Sequence, residues 1–153
     1  MFVSIPAVML KKLFSPLDAA IAQLSQRGMN EDFVRFAIVG SLGLCWDTGT
    51  VYALRGMVGL YIAGAISYLV ASTANWALNR VWTFRERQHS SIHIQWMRFF
   101  IANLLGFSVN RGLYFTLISF FVLCRSEPVL PIFAGSVVGL CFNYSLSKRF
   151  VFS

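Results

Sequence analysis

Asn75, Asn79 and Arg80 lead into Trp82 and Phe84, and 68 residues later Asn143, Ser147, Lys148 and Arg149 lead into Phe150 and Phe152. The two stretches, Asn75-Trp-Ala-Leu-Asn-Arg-Val-Trp-Thr-Phe84 and Asn143-Tyr-Ser-Leu-Ser-Lys-Arg-Phe-Val-Phe152, align without a gap. Each has an amide, a cation five residues on, and aromatic rings at its eighth and tenth positions. These groups recognise rather than react: a carboxamide donates and accepts hydrogen bonds, and a cation offers charge and donors only. Reactive constellations are missing from the sequence. It has six acidic residues, none forming a spaced metal-binding pair, and neither a glycine loop for phosphates nor a hydrolase nucleophile motif. His89 and His93 have the i,i+4 spacing of a metal pair, but no third ligand lies near and a solvated loop is the reading. Cys45, Cys124 and Cys141 form no CxxC and read as small packing residues.

The elements that hold these groups are apolar. The 153 residues are 57% hydrophobic and 12% charged, the composition of a membrane chain of one domain. A net charge of +7 would suit nucleic acid, but the cations lie between apolar runs rather than on one soluble face, which excludes that partner. An amide inside an apolar helix, followed by a basic and aromatic end, describes a membrane helix meeting the interface, where rings sit at headgroup level. The sequence predicts an all-α polytopic membrane protein with four transmembrane helices, near 36–54, 60–79, 99–123 and from Pro128 to about residue 147. Residues 1–32 form a preceding segment. It has neither a basic n-region nor a small-residue cleavage site, so it does not read as a signal peptide. Ser15-Pro16-Leu17-Asp18 has the cap, the first-turn proline and the acid of a helix start, and Gly28 ends the run. Leu17, Ile21 and Leu24 share a face, predicting an amphipathic helix on the cytoplasmic surface.

Topology follows from the cations. Lys11, Lys12, Arg27, Arg35, Arg80, Arg85, Arg87, Arg98, Lys148 and Arg149 fall on one side, and Arg55 and Arg125 on the other, so both termini are expected in the cytoplasm. Arg35-Phe36 aligns with Arg98-Phe99, Asp47 with Asn110, and Ser67-xxx-Ala71 with Gly135-xxx-Gly139. The last two patterns are of small residues that let helices approach closely. The membrane domain, 33–153, is thus a tandem of two-helix repeats, 33–86 and 96–153. An even number of spans in each puts them the same way up, related by an axis along the membrane normal. Asp47 and Arg111 lie twelve and thirteen residues after Arg35 and Arg98, at similar depth. An unpaired charge there costs at least about 2.5 kcal/mol, so the two are expected to pair directly or through water.

Arg35-Phe36-Ala-Ile-Val-Gly40, Asp47, Asn75-xxx-Asn79-Arg80-x-Trp82-x-Phe84, Arg98-Phe99 and the closing Asn143 to Phe152 resemble the GtrA family of small four-helix membrane proteins. The likeness covers about 33–152 and departs from the family at Ser147, which replaces the amide of Asn79, and at the extra cation Arg111. It implies a role in cell-surface polysaccharide synthesis. The function implied is movement of a polyprenyl-phosphate-linked sugar across the cytoplasmic (inner) membrane, with a membrane glycosyltransferase as a partner and no cofactor. With the long tail left in lipid, only the head needs a polar path. Arg80, Lys148, Arg149, Arg98 and Arg35 are then the phosphate-binding candidates, an arginine fork donating two hydrogen bonds. Asn75, Asn79, Asn110, Asn143, Asp47 and Arg111 would supply the sugar-binding or polar path. Asn75 and Asn143 lie about 7 Å deeper than the cations that follow them. Four short helices enclose little space, so a homo-oligomer or a groove open to lipid is expected. Two other readings stay open: a non-transporting partner that recruits or orients a polyprenyl-phosphate glycosyltransferase, and a small proton-coupled exporter using Asp47.

Overall fold

The computed structural model describes residues 7–26, 28–87, 91–127 and 129–152. Arg27, His89 and Pro128 lie outside them. The described residues are helical, without a strand: α1 (Ala7–Ser25), α2 (Glu31–Leu78), α3 (Ile92–Phe120), α4 (Val122–Ser126) and α5 (Val129–Leu146). Two π-helical turns, Asn79–Thr83 and Ser147–Val151, close α2 and α5. The chain divides into two compact units, Met1–Gln88 and His89–Ser153.

In the first unit, Asn30 caps α2 by accepting from the Phe33 N–H at 3.1 Å, and Glu31 and Asp32 place negative charge at the dipole's positive end. The sequence predicts a loop with Arg55 between two spans. The structure keeps Arg55 helical, its guanidinium 4.2 Å from the Tyr52 ring centroid, and reverses the chain at one residue, Gly59, with φ +78° and ψ 165°. An L side chain rarely adopts that conformation, so a single glycine replaces a loop. The two arms of α2 then run alongside each other as a hairpin: Gly43 meets Asn75, and Asp47 meets Ser67.

α1 departs from expectation in start and register. It begins at Ala7 and runs through Pro16, so Ser15 is not its cap. The face that docks carries Phe14, Asp18 and Ile21, while Leu17 and Leu24 of the expected stripe stay exposed. Ile21, Val39 and Trp82 form the core there, with Phe14, Val34, Ile38 and Leu78 around it. Packing of this face outweighs the one helical hydrogen bond that Pro16 forgoes. The expected helix end holds: Gly28 has φ +86° and its N–H reaches the Ser25 carbonyl at 2.9 Å.

In the second unit α3 starts at Ile92, before the expected 99, because Gln95, Phe99, Ala102 and Gly106 make one continuous buried stripe. His93 is therefore helical. α3 packs along α5, where Gly135 and Gly139 meet Asn110: a Cβ on Gly135 would lie 2.8 Å from the Asn110 carbonyl oxygen. These small residues pack the helices, as their spacing predicts.

None of the four expected apolar spans is recovered as such among the described residues. Among the described residues no helix is long and apolar enough to cross a membrane. Asp47 and Arg55 interrupt the first arm of α2, and Arg98, Asn103, Asn110 and Arg111 interrupt α3. Both units nonetheless expose large apolar side chains, among them Leu44, Met57, Phe115 and Phe133, a surface suited to lipid rather than water.

Candidate headgroup site at the duplicated helix ends

Each duplicated stretch ends in the same wide turn. The Phe84 N–H bonds the Asn79 carbonyl at 2.8 Å and the Phe152 N–H bonds that of Ser147 at 2.9 Å, five residues apart in both. The turn swings the closing aromatic ring inward onto the start of the repeat. Phe84 lies 6.2 Å from Phe36 and Phe152 lies 6.1 Å from Phe99, centroid to centroid, with both closing rings buried. Asn79 and Ser147, equivalent in the repeat, are both buried at its first residue. Sequence periodicity holds no signal for a π turn, which differs from an α-helical end by one hydrogen-bond register.

Around the first turn the cations meet carboxylates. Arg35 donates from Nε to Asp18 Oδ1 at 2.9 Å and from Nη2 to Glu31 at 2.9 Å, and its Nη1 lies 3.7 Å from Asp32. Asp18 Oδ1 also accepts from Trp82 Nε1 at 3.0 Å, and its Oδ2 lies 3.6 Å from Arg85. Arg87 stands 3.4 Å from Asp32. Phe14 stacks on Trp82 with centroids 4.7 Å apart. Arg35, expected to meet phosphate, thus has acidic partners for all three of its nitrogens. Arg80 is half-buried beside Asn79. Asp18 belongs to this site although nothing in its sequence position assigns it there, and Trp82, which stands out in the duplicated stretch, enters it as a donor to that carboxylate.

The second turn is built differently. Arg98 donates to the Phe150 carbonyl at 3.3 Å, which holds it against the turn. Lys148 Nζ lies 3.2 Å from the Tyr144 hydroxyl and over its ring, while Arg149 and Phe150 are exposed.

Deeper along each hairpin, a carboxamide faces a glycine. A Cβ on Gly43 would collide with the Asn75 side chain, and one on Gly106 would fall within that of Asn143, 2.6 Å from its Nδ2. Asn75 Oδ1, Asn143 Oδ1, Asn79 Oδ1 and Ser147 Oγ are buried, and among the described residues no donor reaches them. A buried acceptor without a donor costs about 1–3 kcal/mol, and here the cost recurs at equivalent positions of both repeats. Farther along, Asp47 accepts from Ser67 Oγ at 2.5 Å, and its counterpart Asn110 reaches Ser136 Oγ at 3.5 Å. The Arg111 guanidinium lies 5.3 Å from the Phe107 ring centroid. Asp47 and Arg111 each find a partner within their own unit. Gly43 and Gly106 are not singled out by the sequence pattern, though each stands eight residues after its Arg-Phe pair begins.

A family profile described as GtrA/DPMS, transmembrane domain, matches residues 35–152. The chain belongs to this family. The GtrA/DPMS domain therefore runs from Arg35, at the acidic cluster, to Phe152, the ring that closes the second turn, and includes every carboxamide of the polar interior. Membership makes the chain a membrane protein, all-helical as read, and associates it with lipid-linked sugars. No curated protein matches the chain.

Proposed function

We propose that the protein crosses the cytoplasmic membrane as two helical hairpins with both termini inside, and that it moves a polyprenyl-phosphate-linked sugar to the outer leaflet. Its role is non-catalytic. Membership in the GtrA/DPMS family supports the substrate class, and the charge distribution supports the orientation. The observation that carries the reading is the set of four buried oxygens, on Asn75, Asn79, Asn143 and Ser147, which want donors. Sugar hydroxyls are donors, and passing from one acceptor to the next would carry a head group inward from the basic turns while its tail stays in lipid. Lys148, Arg149, Arg98 and Arg80 stand where the phosphate would arrive. Asp47 continues the polar path in the first unit, and Asn110 and Arg111 continue that of the second. The sequence carries no glycine-loop motif for a nucleotide, so the movement runs downhill or is coupled to an ion, in a homo-oligomer or along a groove open to lipid.

The test is reconstitution into liposomes with a lipid-linked sugar whose leaflet is assayed by an impermeant glycosidase or lectin. Protein-dependent exposure of inside-facing sugar, lost in Asn75→Leu/Asn143→Leu, is expected. Leaflet exchange no faster than in protein-free liposomes would overturn transport. A second reading, a partner that orients a membrane glycosyltransferase, draws on the exposed Leu17 and Leu24 of α1, which offer an apolar strip at the cytoplasmic face. It predicts higher synthase activity on co-reconstitution without sugar exchange.

A further inference from the structure

We propose that an apolar groove along the first arm of α2 holds the isoprene units of the carrier nearest its phosphate, while the rest of the tail stays in lipid. This rests on the function proposed above and gives a seat to a part of the substrate that the polar path leaves unassigned.

The groove has a volume of about 730 Å³, in the range of sites that take a small ligand. Its lining belongs entirely to the first unit. Cys45, Gly49 and Ala53 stand about one helical turn apart among the larger Leu42, Trp46 and Leu54. A Cβ on Gly49 would meet nothing within 4 Å, so this glycine, unlike Gly43, does not face the second arm. No lining residue is charged. The one hydroxyl, on Thr50, donates to the Trp46 carbonyl at 2.7 Å and is satisfied within the helix. A sugar or a phosphate would find no partner here, and its lost hydration would go uncompensated. The groove is built for hydrocarbon.

Position selects which hydrocarbon. Leu78, the lining residue from the second arm, directly precedes Asn79. Leu42 directly precedes Gly43, which the Asn75 side chain packs against. The groove therefore begins beside the two residues whose buried oxygens meet no donor among the described residues, and two residues short of Arg80. From Leu42 to Leu54 it runs inward for about 18 Å. A carrier with its phosphate at the basic turn has the start of its tail at the mouth of this groove. In lipid, seating hydrocarbon brings no hydrophobic gain, so selectivity comes from packing contacts. Each isoprene unit carries a methyl branch, and the recesses over small residues one turn apart accept such branches. A straight alkyl chain leaves the recesses empty and forgoes those contacts.

The experiment labels the full chain in lipid nanodiscs with a polyprenyl monophosphate carrying a diazirine on the isoprene unit next to the phosphate, and maps the adducts by mass spectrometry. Labels are expected on residues 42–54 and on Leu78, displaced by excess unlabelled polyprenyl phosphate. Hexadecyl phosphate, the same head on a straight chain, should compete about tenfold less well, a difference of roughly 1.4 kcal/mol. Gly49→Leu, and separately Ala53→Leu, should fill the groove and cut labelling there by about tenfold. Gly56→Leu, on the same arm but outside the groove, should leave labelling unchanged. Equal competition by hexadecyl phosphate would overturn selection of the isoprenoid. Displaceable labels confined to residues outside the groove would overturn the seat while leaving the proposed function standing. So would folded Gly49→Leu and Ala53→Leu variants that label as the unaltered protein does. A benzophenone side chain installed at residue 49 should capture the carrier. Its capture of a peptide from this chain or from a second copy would show a helix seated there instead, and would overturn the proposal. No displaceable labelling anywhere would overturn the proposed function as well. If neither variant folds, the map and the competition in the unaltered protein decide.

Discussion

Asn143 and Gly106 show what a single pair of residues contributes. The helices approach so closely that no side chain fits at residue 106, and the carboxamide fills the gap. Gly106→Ala should therefore destabilise the protein by about 1–3 kcal/mol through overpacking. Gly112→Ala, with nothing within 4 Å of the new methyl, should be neutral or stabilising. Thermal unfolding in detergent measures both, and Gly106→Ala/Asn143→Ala should cost less than the sum of its parts. Equal melting of the two glycine variants would show that the helices separate easily. Ser67→Ala tests the other buried contact. It strips the hydrogen bond at 2.5 Å from Asp47 and should cost about 1.5–3 kcal/mol, as bonds to charged groups do. Much of this was legible in the sequence because it is duplicated: Asn75 and Asn143 stand out as an amide used twice. Their glycine partners did not, since a contact between two helices of a hairpin leaves no mark in the periodicity of either.

At the scale of elements, the hairpin of α2 hangs on one residue. Gly59 adopts φ +78° and ψ 165° with open space around it, so a substitution there meets backbone strain rather than a collision. Gly59→Ala should cost about 1–3 kcal/mol, against little for Gly56→Ala, which has equal space. A cheap Gly59→Ala would mean that the reversal is made some other way. The apolar runs foretold helices, but not where α1 would dock. The sequence predicts a face of Leu17, Ile21 and Leu24, whereas the docked face carries Phe14, Asp18 and Ile21. The structure chooses the latter because Trp82 and Arg35 supply a ring and a donor for it. Propensity and amphipathicity cannot rank a face by a partner sixty residues away. Phe14→Ala/Asp18→Ala should thus free α1, seen as rapid hydrogen exchange across its backbone while the rest of the protein stays protected. Protection retained in α1 would place its anchor elsewhere.

At the scale of the whole molecule, orientation is a matter of charge. Ten cations flank the helices on one side in the sequence and two on the other, an imbalance spread over three segments rather than concentrated in one. The structure adds a complication, because Arg35, Arg85 and Arg87 stand beside Asp18, Glu31 and Asp32. Acidic neighbours weigh little in setting orientation, so the imbalance should still hold. The second unit strengthens it, with Arg98, Lys148 and Arg149 at one end and its single carboxylate near the other. Labelling with an impermeant maleimide tests this, once the thiols of Cys45, Cys124 and Cys141 have been replaced by serine. Engineered cysteines at Gly56 and Ser126, both exposed, should react from outside intact cells. One at Glu86, also exposed, should react only after the membrane is opened. Reaction at Glu86 in intact cells would invert the protein and place the basic turns outside. The phosphate would then be met on exit rather than on entry.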